Sequence, residues 1–134
     1  MSRRRGAVGV ITRDRRLLVI RRSSCVVAPR AFCFPGGGIE AGESEQAALV
    51  RELHEELKVA VRPVRCLWRS VTASRVEIAW WRASLLPGER PLPNPAEVES
   101  LHWYTRDELA RLEGLLPSNA AFLAAVERGE IHLD

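Results

Sequence analysis

The chain lacks the features of several common protein classes. None of its apolar runs approaches the roughly 20 residues that a membrane-spanning helix needs. The basic start, residues 1–5, is followed at residues 6–11 by an apolar stretch that is shorter than the roughly 7–15 residues of a signal-peptide core. We therefore expect a cytoplasmic protein without a membrane anchor.

Cysteine and lysine are scarce. The three cysteines, Cys25, Cys33 and Cys66, are odd in number and have no CxxC spacing, which argues against a disulfide framework or a zinc site. We interpret them as buried or incidental thiols. Lys58 is the only lysine among 20 basic residues, so arginine supplies nearly all of the positive charge.

The size of the chain fits one domain. A length of 134 residues with 46% hydrophobic residues is enough for a single core. No repeat, low-complexity tract or change of composition divides the sequence, and we predict a single domain over residues 1–134. The sequence leaves a monomer and a homodimer equally open.

Charge is distributed unevenly along the chain. Residues 1–36 contain nine arginines against Asp14 alone, whereas residues 37–59 contain six glutamates against Arg51 and Lys58. Carboxylates beside guanidinium groups are what a site for cations and a phosphate-bearing ligand requires. The alternatives are a solvated basic surface or a weak nucleic-acid-binding segment, and charge alone does not separate these interpretations.

The hydrophobic pattern predicts an α/β fold. Leu49, Leu53 and Leu57 form the i, i+4, i+8 stripe of an amphipathic helix that Ser44 caps, whereas the glycines of residues 34–38 indicate irregular backbone. Strands, a helix, strands and a helix in this order favour a layered domain over a repeating βαβ array. The predicted strands are 7–11, 17–20, 59–70, 72–86 and 99–104, and the predicted helices are 44–57, a short one after Thr105, and 117 to about 128.

Three glutamates share one face of the first helix. Glu52, Glu55 and Glu56 are spaced i, i+3 and i+4, so their Cβ atoms are roughly 5–6 Å apart. Like charges at this spacing destabilise a helix, and a divalent cation, which prefers hard oxygen ligands, removes that cost. Taken alone, such a pattern is more often a solvated face than a site.

The surrounding residues favour a site over a solvated face. Gly37, five residues, Glu43, seven residues and then residues 51–59 resemble the Nudix box, GX5EX7REUXEEXGU, where U is aliphatic. The one departure is Lys58 in place of the last glycine. Because that glycine ends the helix in a left-handed conformation, a lysine there costs about 1 kcal/mol. Looser similarity covers about residues 6–129.

The resemblance implies a fold, a cofactor and roles for the box residues. The fold is a Nudix-type α/β/α sandwich with a central mixed sheet, and the cofactor is Mg²⁺, with Mn²⁺ as the alternative. Glu52 is also a candidate base for the attacking water, while Arg51 and Glu43 orient the loop and the glutamates through an ion pair. The implied catalytic residues are Glu43, Arg51, Glu52 and Glu55, and the implied metal ligands are the backbone carbonyl of Gly36 with Glu52, Glu55 and Glu56.

Charged residues outside the box are weaker candidates. Arg21 or Arg22, at the end of the second strand, is a candidate for binding the substrate phosphates, and strand alternation directs the two to opposite faces. Ordinary surface arginines are an equally good interpretation. Glu97 and Glu99 are candidates for an additional metal ligand or base, although for either one alone a solvated loop carboxylate is the commoner case.

Four further residues are candidates for binding a base. Trp80, Trp81 and Trp103 are able to stack on it, but adjacent Trp80 and Trp81 must point to opposite faces, which places one of them in the core. Asn119 lies two residues after Pro117, as in family members that cleanse oxidised guanine nucleotides, where the Asn contacts the purine. A helix cap is the commoner role for such an Asn, and we favour it.

We predict a divalent-metal-dependent hydrolase that cleaves the pyrophosphate linkage of a nucleoside-diphosphate-linked substrate. The leading substrate class is a nucleoside triphosphate or a related small nucleotide. One alternative is a catalytically silent Nudix-fold module that binds nucleotides, which we rank lower because all the box glutamates are present. Another alternative is that the arginine-rich N-terminal segment binds nucleic acid. We expect a small nucleotide rather than a nucleic acid as the partner.

Overall fold

A computed structural model describes residues 4–133 of the chain. Its main elements follow the order predicted from the sequence, with short additional strands around the first turn and in the glycine-rich segment. The elements in chain order are β1 (Arg5–Val10), β2 (Thr12–Arg13), β3 (Arg16–Arg22), β4 (Phe32–Cys33), β5 (Gly36–Gly38), α1 (Glu45–Leu57), β6 (Val61–Val71), β7 (Glu77–Leu85), β8 (Val98–Tyr104), α2 (Arg106–Ala110) and α3 (Pro117–Glu127).

The strands form two four-stranded sheets. In the first, the order is β5-β1-β7-β6, with β1 and β7 parallel and the other pairs antiparallel. In the second, β3 pairs antiparallel with β8, and also with β2 and β4. The parallel β1–β7 pair makes the first sheet mixed, as the resemblance implied.

Helices cover the strands from two sides. On one side, the leucine stripe of α1 is fully buried with Ala7 of β1 and Leu18 and Ile20 of β3. Burial of each such leucine stabilises the fold by about 1.5–3 kcal/mol. On the other side, α2 and α3 bury Leu109 and Phe122 against Trp80 of β7. This arrangement confirms the predicted α/β/α sandwich, and none of the helices within residues 4–133 is long and apolar enough to cross a membrane.

The glycine-rich segment differs from the expectation of irregular backbone. Residues 36–38 form β5, which pairs antiparallel with β1 in the register Ala7 to Gly37. A side chain at Gly36 would overlap the carbonyl oxygen of Ala7. Gly36 therefore permits the two backbones to approach closely, and the segment forms a short strand rather than a loop.

The end of α1 is unusual because a lysine adopts a left-handed conformation there. Lys58 has φ 56° and ψ 37°, and its N–H donates to the carbonyl of His54 at 3.0 Å. Only glycine adopts this conformation without a steric penalty. The helix therefore ends where the resemblance predicted, without the residue type that favours such an end.

The strain at Lys58 generates a prediction about stability. Replacing Lys58 with Gly should raise the free energy of unfolding by about 1 kcal/mol, because glycine relieves the Cβ clash of the left-handed conformation. Urea denaturation followed by circular dichroism measures the change. Lys58→Ala keeps the Cβ and should give no such gain, so equal stabilisation by both variants would contradict the explanation.

Candidate active site

Helix α1 is fixed at its start and packs closely on β1. Ser44 caps it, since its Oγ accepts from the N–H of Ala47 at 3.0 Å. A side chain at Gly9 would lie only 3.2 Å from Leu49 and 3.4 Å from Leu53, so the helix lies almost directly on the strand. The C-terminal half of α1 and its glutamates are thereby held beside the glycine-rich segment.

Arg51 joins the helix to the preceding loop. Its Nε and Nη2 donate to both carboxylate oxygens of Glu43 at 2.7 and 2.9 Å, and Nη2 also donates to the carbonyl of Gly38 at 2.9 Å. The bidentate bond to Arg51 and a bond from the N–H of Glu40 lower the pKa of Glu43 to about 2. The ion pair expected between loop and helix is therefore present.

The same guanidinium contacts two of the box glutamates. Nη1 of Arg51 lies 3.0 Å from Oε1 of Glu52 and 3.3 Å from Oε1 of Glu55. The side chain of Glu55 is 45% exposed and that of Glu52 is 15% exposed. Arg51 thus partly neutralises the glutamate face and separates these two carboxylates.

Glu56 is the buried member of the set. It is 7% exposed, and its Oε1 accepts from the N–H of Gly36 at 2.8 Å. The pKa of Glu56 is raised to about 8: burial is the main cause, the bond from Gly36 opposes it, and the charges of Glu52 and Glu97 add to it. The glycine-rich strand therefore contributes a hydrogen-bond donor to the glutamate face.

Glu52 lies directly against the backbone of Gly37. A Cβ at Gly37 would overlap the carboxylate of Glu52, whereas a Cβ at Gly38 would meet its nearest atom, the carbonyl oxygen of Arg5, at 4.0 Å. Burial raises the pKa of Glu52, against the opposing effect of the hydrogen bond from Arg51. A side chain at position 37 would therefore displace this carboxylate.

A fourth glutamate reaches the cluster from the connection between β7 and β8. Glu97 Oε2 is buried, and among residues 4–133 it is the one buried side-chain oxygen or nitrogen without a hydrogen-bond partner. Its charge raises the pKa of both Glu52 and Glu56. An unpartnered buried carboxylate oxygen is costly, and the charge of this carboxylate acts on two others.

The predicted metal ligands come together only in part. Within the described residues, no three acidic, histidine or cysteine side chains converge closely enough to form a ready metal centre. Arg51 lies between Glu52 and Glu55, and Glu56 is bonded to Gly36. The metal set of Gly36, Glu52, Glu55 and Glu56 therefore stays a prediction, with Glu97 as the additional carboxylate beside it.

The two candidate arginines on β3 face different neighbours. Arg22 donates to the carbonyl of Val27 at 2.7 Å, and its charge lowers the pKa of Glu56, which places it on the glutamate side. Arg21 lies 5.0 Å from the ring of Phe32 and 3.6 Å from Glu99. Glu99 is thus paired with an arginine. Of the two candidates, Arg22 is the better placed to bind substrate phosphates beside the glutamates.

Asn119 does not cap α3, contrary to our expectation. Leu116 is the N-cap residue and, having an apolar side chain, makes no side-chain cap bond, while Pro117 occupies the first turn. Asn119 is instead buried, and its Oδ1 accepts from the N–H of Phe34 at 2.8 Å while its Nδ2 donates to Ser118 Oγ at 3.1 Å. It therefore ties α3 to the segment that precedes β5.

Of the three candidate tryptophans, one is fully buried and two are partly buried against the core. Trp80 is fully buried and stacks on Phe122 at 4.7 Å, whereas Trp81 donates to Glu45 at 2.9 Å. Trp103 pairs with Leu18 near the start of β3, and the guanidinium of Arg13 covers its ring at 4.0 Å. The base-binding role of Trp103 stays a prediction, and Leu18, its partner on β3, lies four residues before Arg22.

Two residues that sequence reasoning missed hold the loop that carries Glu97. Asn94 donates to the carbonyl of Glu55 at 3.1 Å, and Ser23 Oγ donates to the carbonyl of Ala96 at 3.0 Å. The Asn-Pro pair at positions 94–95 indicates a turn but not its partner. Trp68 was also missed: it is partly buried and lies 6.2 Å from both Trp80 and Phe122.

Comparison with known proteins gives one family. The NUDIX domain model matches residues 2–126. A Mycobacterium tuberculosis protein whose provisional name is 8-oxo-dGTP diphosphatase 2 is 31% identical over 124 residues, which cover 90% of this chain and 85% of that protein. The NAD-capped RNA hydrolase NudC of Mycobacterium bovis is 33% identical over 89 residues, which are 60% of this chain and 26% of that protein.

Solved structures match over nearly the whole chain. The MutT NUDIX hydrolase of Burkholderia pseudomallei superimposes with a TM-score of 0.74 at 25% identity, covering 94% of this chain and 99% of that one. The MutT protein of Methanosarcina mazei Go1 gives a TM-score of 0.77 at 18% identity, with 93% of each chain covered. The second likeness concerns the fold alone.

The burial of Glu56 generates a prediction about pH. Its pKa is about 8 in the folded protein against an ordinary 4.5, so folding favours the protonated form. That stabilising contribution is complete below pH 4.5 and is lost as the pH rises through about 8. Urea unfolding of the metal-free protein should therefore show stability falling across this range, and Glu56→Gln should flatten the fall.

The matched control for this prediction is Glu55→Gln. It removes a carboxylate one residue away whose side chain is 45% exposed, and it should keep the wild-type pH dependence. Glutamine at 56 retains an oxygen to accept from Gly36, so the comparison isolates the ionisation. An unchanged slope in Glu56→Gln would sink the prediction.

Proposed function

The chain belongs to the Nudix hydrolase family, and from that premise we propose that it is a divalent-metal-dependent pyrophosphohydrolase of small nucleotides. Nucleoside triphosphates are the proposed substrate class and Mg²⁺ is the proposed cofactor, with Mn²⁺ as a substitute. The family relationship supports cleavage of a pyrophosphate linkage. The arrangement of carboxylates supports the binding of a divalent cation and the assignment of separate roles to the box residues.

The observation that carries the proposal is a partly buried carboxylate cluster that is short of positive charge. Glu97 Oε2 has no hydrogen-bond partner, and Glu52 and Glu56 are close enough to feel its charge. Each member offers a hard oxygen ligand, which is the donor type that Mg²⁺ prefers. The donor set therefore fits the proposed cation, with Glu52, Glu55, Glu56 and the carbonyl of Gly36 as ligands and Glu97 beside them.

Glu52 is the proposed base for the attacking water. Arg51 occupies its Oε1, which leaves Oε2 to accept the proton. Burial raises the pKa of Glu52, and a pKa nearer to neutral improves a carboxylate as a base. A bound divalent cation would neutralise the diphosphate and acidify the water.

Arg51 and Glu43 are proposed to position the loop and the glutamates rather than to contact the substrate. Their bidentate pair fixes the loop to α1, and the bonds of Arg51 to Glu52 and Gly38 position the base against β5. A base held in one position needs little reorganisation when the substrate arrives. The spacing of the box therefore supports catalysis through preorganisation.

Arg22 and Asn119 are the proposed substrate-binding residues. Arg22 lies on the glutamate side of β3, and its guanidinium, which contacts the carbonyl of Val27 and the thiol of Cys33, suits a phosphate oxygen. Asn119 lies beside Phe34, and its Nδ2 is bonded to Ser118 Oγ. Exchange of that bond would free an amide donor for a base, which makes a purine nucleotide a sensible first substrate to test.

The enzyme proposal generates a prediction about Glu52. Wild-type protein with Mg²⁺ should release phosphate or pyrophosphate from at least one compound in a panel of nucleoside triphosphates, nucleotide sugars, ADP-ribose and dinucleoside polyphosphates. Glu52→Gln should lower kcat by about 10²–10⁴-fold, the usual contribution of a general base. Nucleotide binding without turnover on any member of the panel would instead favour a silent binding module.

The contact between Gly37 and Glu52 generates a second prediction. Gly37→Ala places a Cβ where the Glu52 carboxylate lies, and the flexible end of Glu52 must move. We expect kcat to fall at least about tenfold, since small misplacements of catalytic groups have large effects, while the protein remains folded by circular dichroism. Gly38→Ala meets only an atom at 4.0 Å and should retain activity, so equal losses in both variants would refute the argument.

A further inference from the structure

The C-terminal end of α1 is held from outside the helix. The last four carbonyls of an α-helix have no partner within it. Lys58 N–H donates to the first of them, on His54, at 3.0 Å. The other three accept from the connection between β7 and β8: Asn94 Nδ2 to Glu55 at 3.1 Å, Asn94 N–H to Glu56 at 2.8 Å, and Leu92 N–H to Leu57 at 2.8 Å.

The same connection is held from its other side by β3. Ser23, which directly follows β3 and is 5% exposed, donates its Oγ to the carbonyl of Ala96 at 3.0 Å. Its N–H donates to the carbonyl of Glu97 at 3.0 Å. Residues 94–97 are therefore fixed between the box helix and the strand that carries Arg22.

Asn94 also shapes the turn itself. Its Oδ1 accepts from the N–H of Ala96 at 3.2 Å, and its carbonyl accepts from the N–H groups of Glu97 and Val98 at 3.0 and 2.8 Å. One side chain thus bonds the turn and the helix end at once. A substitution at Asn94 would therefore change the position of Glu97 relative to the box glutamates more than it would change the fold of α1 or of the turn.

We propose that Asn94 and Ser23 are positioning residues that hold the carboxylate of Glu97 against Glu52 and Glu56 for cation binding. The proposal rests on the proposed function, because it concerns the same cluster. Neither side chain is bonded to a carboxylate of the cluster, so each acts through the backbone: Ser23 through that of residues 96–97, and Asn94 through that turn and the carbonyl of Glu55. Partners of this kind typically change metal affinity or activity by about 10–100-fold when they are removed.

The test is Mn²⁺ binding to the metal-free protein, measured by electron paramagnetic resonance without nucleotide. Asn94→Ala and Ser23→Ala should each raise the dissociation constant about tenfold, as should Glu97→Gln. In the Glu97→Gln background the two alanine changes should add no further weakening, because the group that they position has lost its charge. Leu86→Ala, an exposed apolar truncation (41% exposed) in the same connection, should bind as wild type does.

The possible outcomes separate this inference from the proposed function. Weakening by Glu97→Gln without weakening by either alanine variant would overturn the positioning role and leave the enzyme proposal intact. Weakening that is equally large with and without the Glu97 carboxylate would show a general structural effect and would also overturn it. Absence of Mn²⁺ binding and of turnover in the wild type would overturn the proposed function and this inference together. If Asn94→Ala fails to fold, the Mn²⁺ affinity of Ser23→Ala still tests the positioning role.

Discussion

The buried carboxylate of Glu56 is the constraint on which the site depends. Removing a carboxylate from water costs several kcal/mol, whereas the single hydrogen bond from Gly36 returns about 1.5–3 kcal/mol. The protein therefore keeps Glu56 protonated up to a pKa of about 8, or it must supply a positive charge. The fully buried leucines of α1 provide the stabilisation that makes this cost tolerable.

Arg51 supplies part of that positive charge, and its hydrogen bonds also fix the positions of the groups around it. A guanidinium has a planar set of donors, so it can bind both oxygens of Glu43 while it contacts Glu52 and the Gly38 carbonyl. A lysine would offer one compact charge and would leave several of these acceptors without a donor. The arginine of the box thus makes loop, strand and helix a single unit, although it does not bond to Glu56 or Glu97.

Local patterns predicted the parts of the molecule that depend on local physics. The leucine period located α1, the resemblance to the box predicted the ion pair of Glu43 with Arg51, and the missing box glycine predicted the left-handed Lys58. These features follow from residues a few positions apart or from a motif that records their relation. For them, the sequence contains most of the information that the structure does.

Predictions failed where the partner lies far along the chain. The glycines became β5 because β1 approaches from about 30 residues away, and Asn119 bonds Phe34 across 85 residues instead of capping its helix. Alternation correctly separated Arg21 from Arg22, but nothing in the sequence indicated which one faces Glu56. The contacts of Asn94 and Ser23 with the Glu97 loop were unpredictable for the same reason, since a turn signal does not name its tertiary partner.

The uneven charge of the sequence does not translate into a strongly positive site. Arg5, Arg16 and Arg21 pair with Glu45, Glu108 and Glu99, each on a different element, and of the described arginines before the box, it is Arg22 whose charge reaches Glu56. The glutamate cluster therefore remains negative, and a polyphosphate approaching it alone would be repelled. For the proposed triphosphate substrate, a cation that arrives before it or with it would offset this repulsion, which links the deficit of positive charge to the proposed metal dependence.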